Sequence, residues 1–228
     1  MDIAMEVIAR IRSDFPQKFG IPRQAGLVPE LRARVVFEPA YRNPEALRGL
    51  EGFSHIWLLW NFSGNPRGTW SPTVRPPRLG GNRRMGVFAT RSPFRPNPIG
   101  LSCVRLEALE PEGPEGPTLV VSGADLMDGT PIFDIKPYTP YADCRPEATG
   151  GFTDTAGDFL LAVDFPPALL AQVPEAARDG LLGVLRHDPR PSYQHDPDRV
   201  YGLDFAGCNV KFTVRENTLQ VERITKIQ

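Results

Sequence analysis

Eight arginines and no acidic residue lie between Gly52 and Leu106. They are Arg67, Arg75, Arg78, Arg83, Arg84, Arg91, Arg95 and Arg105. A guanidinium is a rigid fork of donors that suits carboxylates and phosphates, and its flat face stacks on bases. The prolines and glycines of this stretch fix φ or let the backbone approach a ligand closely. The composition is typical of a preorganised anion-binding site, although a solvated basic loop would have the same composition.

The elements that hold the arginine-rich stretch in place must come from the short apolar runs, which are separated by Gly and Pro residues typical of turns. They predict strands over 3–11, 31–37, 53–62, 85–89, 99–110, 118–124 and 132–135, and a short helix over 44–50 capped by Asn43. Helical periodicity is almost absent before residue 165, and neither a Walker lysine motif nor a GxGxxG motif occurs. The pattern predicts an all-β sheet or barrel and disfavours a parallel α/β fold.

The composition changes after Ala148, where glycines indicate a linker. Residues 167–187 have helical character, interrupted at Pro174 and Gly180, and 200–203, 209–214 and 218–224 are predicted to form antiparallel hairpins. We therefore predict a mainly β protein with a barrel domain over 1–149 and a small α+β C-terminal module over 150–228.

Composition also excludes several classes of protein. The net charge of −1 gives the whole chain no attraction for nucleic acid. The three cysteines are far apart and outside any CxxC, which disfavours a disulfide framework or a metal site. The N-terminus contains no signal-peptide hydrophobic run, and the longest apolar run, 56–60, is far shorter than a membrane span. We expect a soluble cytoplasmic protein with neither a metal nor a membrane partner.

Five motifs, in order, resemble the TsaA/TrmO family of S-adenosylmethionine-dependent tRNA methyltransferase O proteins. They are IPRQAGLV at 21–28, LRGLEGFSHIWLL at 47–59, TVRPPRLGGNRRMG at 73–86, GVFATRSPFRPNPIG at 86–100 and DLMDGTPIFDIKPYTPYAD at 125–143. DPRPSY at 188–193 is similar to the longer bacterial form, which carries a C-terminal module. The resemblance implies a single-sheet β-barrel as the catalytic domain, which agrees with the strand pattern.

The resemblance also implies S-adenosylmethionine as methyl donor and assigns its contacts to matching motifs. The donor-binding positions are Pro22, Arg23, Gln24, His55, Ile56, Arg91, Leu101, Asp125, Leu126, Met127, Asp128, Gly129 and Thr130. In-line methyl transfer needs oxygen atoms near the sulfonium and an Arg or N–H groups at the donor's carboxylate. His55 could instead be a core histidine, and Asp128-Gly129 could be only a hairpin turn.

The acceptor in this family is adenosine next to the anticodon that already carries a threonylcarbamoyl group. That group makes the exocyclic nitrogen ureido-like, so a modest base or solvent could remove its proton. The candidates for catalysis are Asp134, Lys136 and Tyr138, although Lys136 and Tyr138 could equally bind the substrate carboxylate or stack on a base.

Contacts with tRNA phosphates are assigned to the arginine-rich stretch, and two residues of the C-terminal module are expected to bind tRNA by orienting its anticodon loop. The residues are Arg75, Arg78, Arg83, Arg84, Arg95, Arg190 and Tyr193. The module itself holds 11 acidic residues against 8 Lys and Arg, which is unfavourable for a general tRNA clamp.

The sequence thus favours a homodimeric, S-adenosylmethionine-dependent tRNA (adenine-N6)-methyltransferase. Two alternatives remain open: a methyltransferase acting on another nucleoside or a small molecule, and a non-catalytic RNA-binding β-barrel. Bound donor would exclude the RNA-binding barrel, and an acceptor assay would separate the two enzymes.

Overall fold

Six antiparallel strands close into a barrel in a computed structural model that describes residues 4–64, 70–76, 79, 83–154, 159–191, 194 and 196–227. The barrel strands are β1 (Ala9–Arg12), β2 (Arg32–Phe37), β3 (His55–Asn61), β6 (Ile99–Glu110), β7 (Thr118–Ser122) and β8 (Pro131–Pro137). Their order around the barrel is β1-β2-β7-β6-β3-β8. The predicted mainly β fold with a closed single-sheet barrel is confirmed.

Strand β3 shows why these residues form a barrel wall. Its side chains alternate between buried and half-buried, and Ile56, Leu58 and Trp60 point into the core. This period of two puts one face of the strand in the barrel core and leaves the other outside. Strand β3 pairs with β6 along its whole length, from His55 opposite Arg105 to Asn61 opposite Ile99. Strand β3 therefore runs from one end of the barrel to the other. Asn61 lies at the end that holds the candidate functional site.

The remaining strands form two further sheets. A two-stranded ribbon consists of β4 (Thr73–Val74) and β5 (Met85–Gly86). The C-terminal sheet has the order β10-β11-β12-β9, with β9 (Ala162–Asp164), β10 (Tyr201–Phe205), β11 (Cys208–Arg215) and β12 (Thr218–Lys226). The α-helices are α1 (Pro140–Asp143), α2 (Pro167–Leu170) and α3 (Arg178–Arg186). Short 3-10 helices cover Pro39–Tyr41, Pro44–Leu47, Leu50–Gly52, Val87–Ala89, Gly151–Thr153 and Glu175–Ala177.

The segment from 13 to 31, between β1 and β2, belongs to two cores at once. Phe15, Val28 and Leu31 are buried in the core of the C-terminal module. The Phe15 ring meets Phe205 edge-on at 5.1 Å between centroids. The same segment is tied to the barrel, because Ser13 Oγ donates to the Leu126 carbonyl at 2.9 Å. The predicted boundary between 149 and 150 stays a prediction, but the two modules share this segment.

Three local predictions were wrong. Residues 85–89 do not return to the barrel sheet: Met85–Gly86 pairs with β4, and the chain then turns into a 3-10 helix. Gly180 lies inside α3 and does not interrupt it; a Cβ there would come within 3.1 Å of Leu31, so the glycine allows close helix packing. Strand β9 was missed, and it pairs in parallel with β12. The Asn43 cap is confirmed, since its side chain accepts from the Glu45 N–H.

Candidate active site

A cavity of about 460 Å³ lies at the barrel end marked by Asn61. Its walls come from the 13–31 segment, the 90–95 segment, the start of β6 and the connection between β7 and β8. The volume is within the range of small-molecule sites, roughly 300–1,000 Å³. The basic stretch and the glycine-rich connections therefore border one concave site.

Eight of the predicted donor-binding residues line this cavity. They are Pro22, Arg23, Gln24, Arg91, Leu101, Asp125, Met127 and Thr130. Arg91 donates a hydrogen bond from Nη1 to the Gln24 side-chain carbonyl, so the 13–31 segment and the 90–95 segment are joined across the cavity mouth.

Three other predicted residues of the same motif do not line the cavity. Leu126 is fully buried in the barrel core. The Asp128 carboxylate accepts from the Ser13 N–H at 3.1 Å, and Gly129 has a φ of +74°, which suits a turn. Asp128 thus anchors the 13–31 segment to the barrel, and the Gly129 N–H donates to the Ile11 carbonyl of β1.

His55 and Ile56 lie at the opposite end of β3. Asn61 is six positions after His55, and a rise of about 3.3 Å per residue puts them about 20 Å apart. The His55 ring is half-buried on the outer face, with Nδ1 2.9 Å from Ser54 Oγ and its centroid 6.2 Å from that of Tyr138. Ile56 is fully buried in the barrel. Neither residue reaches the cavity of its own chain, and His55 is not a core histidine.

A buried hydrogen-bond chain leads from the barrel core to the cavity. Trp60 Nε1 donates to Ser102 Oγ at 2.9 Å, and Ser102 Oγ donates to Asp125 Oδ1 at 2.6 Å. Gly100 makes room for the indole, because a Cβ there would lie 2.2 Å from it. Burial raises the pKa of Asp125, and this exceeds the opposing effects of hydrogen bonds from Ser102 and the backbone and of the Arg91 charge.

Sequence reasoning missed Trp60 and Ser102. The available signal was a polar residue at an inward-facing position of an apolar strand, since Ser102 is among the few buried polar side chains.

The catalytic candidates lie on the outer wall of the barrel, in β8 and just after it. Asp134 is nearest the cavity, whereas Lys136 lies opposite Trp57 and Tyr138 lies beside His55, towards the other end of β3. Leu101, Leu59 and Asp134 form one cross-strand row. With neighbouring strands about 4.8 Å apart, Asp134 lies about 10 Å from Leu101. Lys136 Nζ is 2.9 Å from the Asp134 carboxylate. Desolvation, followed by the nearby Cys144, Cys103 and Asp143, raises the pKa of Tyr138, so its phenol stays protonated at neutral pH.

The predicted tRNA-contacting arginines fall into three environments. Arg75, Arg83 and Arg84 are exposed beside the β4–β5 ribbon. Arg95 lines the cavity, where its guanidinium donates to the carbonyls of Thr90 and Ser92.

In the C-terminal module, Arg190 makes two hydrogen bonds to Asp188, at 2.8 and 2.9 Å, and its side chain is only 9% exposed. A phosphate contact by Arg190 would require this ion pair to open. Arg78 and Tyr193 lie outside the described residues.

Two family models match the chain in the same order as its modules. The tRNA-methyltransferase O N-terminal domain matches residues 10–144, and the TrmO C-terminal domain matches residues 159–227. The chain belongs to the tRNA methyltransferase O family. The order of motifs and the closed barrel of this chain are therefore those of the family, one member of which has a solved structure.

Individual members of the family are similar over nearly the full length. The tRNA (adenine(37)-N6)-methyltransferase of Escherichia coli K12 is 40% identical over 224 residues, covering 95% of both chains. A putative S-adenosylmethionine-dependent methyltransferase of Pseudomonas aeruginosa is 42% identical over 219 residues, covering 89% of each. A crystal structure of TrmO from Pseudomonas aeruginosa has a TM-score of 0.79 and 35% identity, covering 99% of this chain and 100% of that one.

The described residues were compared with the requirements of a metal site and of a membrane-spanning helix. No group of three or more His, Cys, Asp or Glu side chains among them could hold a metal ion. In the same part of the chain, no helix is long and apolar enough to cross a membrane.

Proposed function

We propose that this chain transfers a methyl group from S-adenosylmethionine to the N6 atom of adenosine 37 in a tRNA. The main observation behind this proposal is that Arg91, Asp125 and residues 22–24 line one cavity. The Escherichia coli relative is named for this activity, and the Pseudomonas aeruginosa relative is named for this donor.

The residues present suit the donor. S-adenosylmethionine, when bound, supplies a methyl group activated by a sulfonium. Arg23 and Arg91 provide guanidinium donors for its carboxylate, and Asp125 provides a negative charge for its cationic part. The apolar rim at Leu101 and Ile99 excludes water from one side of the cavity and covers the adenosyl group.

The acceptor then approaches from the outer wall. The row from Leu101 to Asp134 offers an apolar surface next to the cavity and a carboxylate about 10 Å along it. Asp134 accepts the proton of the exocyclic nitrogen, or solvent does, and Lys136 pairs with the carboxylate of a threonylcarbamoyl group. This assignment supports threonylcarbamoyl-adenosine as the substrate, because its N6 proton is more acidic than that of plain adenosine.

The phosphates of the anticodon arm bind along the β4–β5 ribbon. Arg75, Arg83 and Arg84 are exposed there, and no acidic residue occurs between Gly52 and Leu106. The enzyme works on cytoplasmic tRNA, with no metal and no membrane in the reaction. Arg190 plays no part in phosphate binding unless its pair with Asp188 opens.

A second copy of the chain completes the site. His55 matches a donor-binding position of the family motif, yet it lies about 20 Å from the cavity end of β3. Large exposed apolar side chains lie in or next to the cavity lining: Leu101 lines it and is 51% exposed, and Phe88, 74% exposed, lies 6.0 Å from the guanidinium of the lining residue Arg95. Exposed apolar patches of this kind mark protein interfaces. In a homodimer, each copy presents its His55 end to the cavity of the other.

Two measurements test the proposed function. Thermal unfolding with S-adenosylmethionine or S-adenosylhomocysteine at 100 times the dissociation constant should show about 2.7 kcal/mol of stabilisation. Nucleoside mass spectrometry should find N6-methylated threonylcarbamoyl-adenosine in tRNA only when the cells contain this protein. Absence of any ligand-induced shift, confirmed by calorimetry, excludes a methyltransferase and leaves an RNA-binding barrel. Ligand binding with unchanged tRNA nucleosides indicates a methyltransferase with another acceptor.

A further inference from the structure

The charges around the cavity are strongly unequal. Four cationic side chains line it, namely Lys18, Arg23, Arg91 and Arg95. Among the described lining residues, Asp125 is the only carboxylate. A ligand with separate positive and negative groups therefore has several places for its negative group and one for its positive group.

The Asp125 carboxylate is held from behind. Ser102, only 1% exposed, donates its hydroxyl proton to Asp125 Oδ1 at 2.6 Å and receives the indole N–H of Trp60 at 2.9 Å. Because the Trp60 N–H can only donate, the Ser102 hydroxyl is oriented with its own proton towards Asp125. The chain of hydrogen bonds thus fixes both the position of the carboxylate and its role as acceptor.

We infer that Asp125 distinguishes the positively charged methyl donor from its neutral thioether product, and that Ser102 and Trp60 are its positioning residues. This inference rests on the proposed function. Donor and product share the carboxylate, the ammonium and the adenosyl group, and they differ by one methyl group and the sulfonium charge. An ionised Asp125 near that charge favours the donor, and the loss of the charge on methyl transfer favours release of the product.

The decisive experiment compares two dissociation constants in one set of variants. Isothermal calorimetry at neutral pH measures S-adenosylmethionine and S-adenosylhomocysteine against wild type, Asp125→Asn and Asp164→Asn. Asp164 is an exposed residue of β9 in the C-terminal sheet, so it controls for the substitution itself. We expect Asp125→Asn to weaken the donor by at least about tenfold, as for an opposite charge within contact range. The product affinity and both affinities of Asp164→Asn should change little.

Each other result overturns the inference. Equal losses for donor and product would mean that Asp125 binds the shared ammonium or only shapes the cavity. Unchanged affinities would mean that it touches neither ligand. If wild type binds neither compound, the proposed function fails as well, which separates that failure from a failure of the inference alone.

The positioning role of Ser102 has its own readout. Ser102→Ala removes a hydrogen bond that lowers the pKa of Asp125, so the pH at which the donor loses its advantage over the product should move upward. The other charged groups that line the cavity around Asp125 are Lys18, Arg23, Arg91 and Arg95. A purely structural role would weaken both ligands without moving that midpoint. An unmoved midpoint in a folded Ser102→Ala variant therefore overturns the role of Ser102.

Discussion

At Asp125, burial and hydrogen bonding act on the pKa in opposite directions, and burial dominates. The ionised carboxylate is therefore less favourable in the folded protein than in the unfolded chain. Functional residues commonly cost stability in this way, because the charge that serves the ligand is poorly solvated without it. Ser102 is polar although it is buried, because its hydroxyl donates a hydrogen bond that favours the ionised form of Asp125.

The sign of this effect gives a prediction about stability and pH. A carboxyl group whose folded pKa is raised stabilises the fold fully below its unfolded pKa, about 3.8, and loses that contribution as pH rises through the folded value. The unfolding free energy of wild type should therefore fall relative to that of Asp125→Asn as the pH rises above 3.8 and through the folded pKa of Asp125. Urea denaturation of the ligand-free proteins at several pH values measures it, and a shift towards wild type would contradict the raised pKa.

At the scale of elements, the 13–31 segment connects the C-terminal module to the cavity. Gln17 Nε2 donates to Asp204 at 2.7 Å, and the Ala206 N–H donates to the Asp14 carbonyl at 2.9 Å. Gly20 packs so closely on Leu203 that a Cβ would lie 2.2 Å from its Cδ1. Pro22, Arg23 and Gln24 follow directly. The module thus supports the proposed donor-binding residues, a role that its acidic composition permits.

Shortening Leu203 tests this support. Leu203→Ala removes a fully buried side chain from β10, and Leu219→Ala removes one from β12, two strands away in the same sheet. Both should lower the unfolding free energy by about 2–5 kcal/mol. Only Leu203→Ala should weaken S-adenosylhomocysteine in calorimetry and speed hydrogen exchange over 17–24. Equal effects of the two variants would show that the module contributes only general stability.

The β4–β5 ribbon carries the electrostatic prediction for tRNA. Each neutralised phosphate contributes about 0.7–0.9 to the slope of log affinity against log salt. Arg83→Ala with Arg84→Ala should lower that slope and the tRNA affinity, because both side chains are exposed beside the ribbon. Binding of S-adenosylhomocysteine should be nearly unchanged.

A matched pair of exposed arginines in the C-terminal sheet, Arg215→Ala with Arg223→Ala, removes the same charge and should leave the slope intact. A slope that falls only in this second pair would move the tRNA surface to the C-terminal module.

These elements also show what a sequence can predict. The alternation of Ile56, Leu58 and Trp60 specifies a barrel strand, because burial on one face has a period of two. The apolar run from Met85 to Ala89 does not specify a partner strand, and only Met85–Gly86 pairs, with β4. The contact between Ser102 and Asp125 joins residues 23 positions apart, one in β6 and the other in the connection between β7 and β8, which no local pattern encodes. Motif matching supplied eight of the residues that line the cavity, and tertiary geometry separated them from His55.

At the scale of the whole molecule, the two ends of β3 carry different parts of the family motif. The cavity end has exposed apolar side chains such as Phe88 and Phe94, and Tyr141 is 89% exposed in the segment that follows β8 at the opposite end. A twofold dimer uses the same surface on both copies, so an interface that joins one copy's cavity end to the other's His55 end forms two equivalent sites. Each site then needs Arg91 from one chain and His55 from the other.

Mixing two inactive variants tests that shared site. Arg91→Ala and His55→Ala should each lose most methyl transfer to tRNA as pure proteins, because every site lacks one residue. After unfolding and refolding together in equal amounts, half of the dimers are mixed, and each mixed dimer has one site with both residues intact and one with neither. Activity should therefore return to about a quarter of wild type. A control mixture of Arg91→Ala with Asp125→Asn, two residues of the same cavity, should regain none, because every site of every dimer keeps one defect. Equal activity in the two mixtures would show that His55 acts within its own chain or not at all.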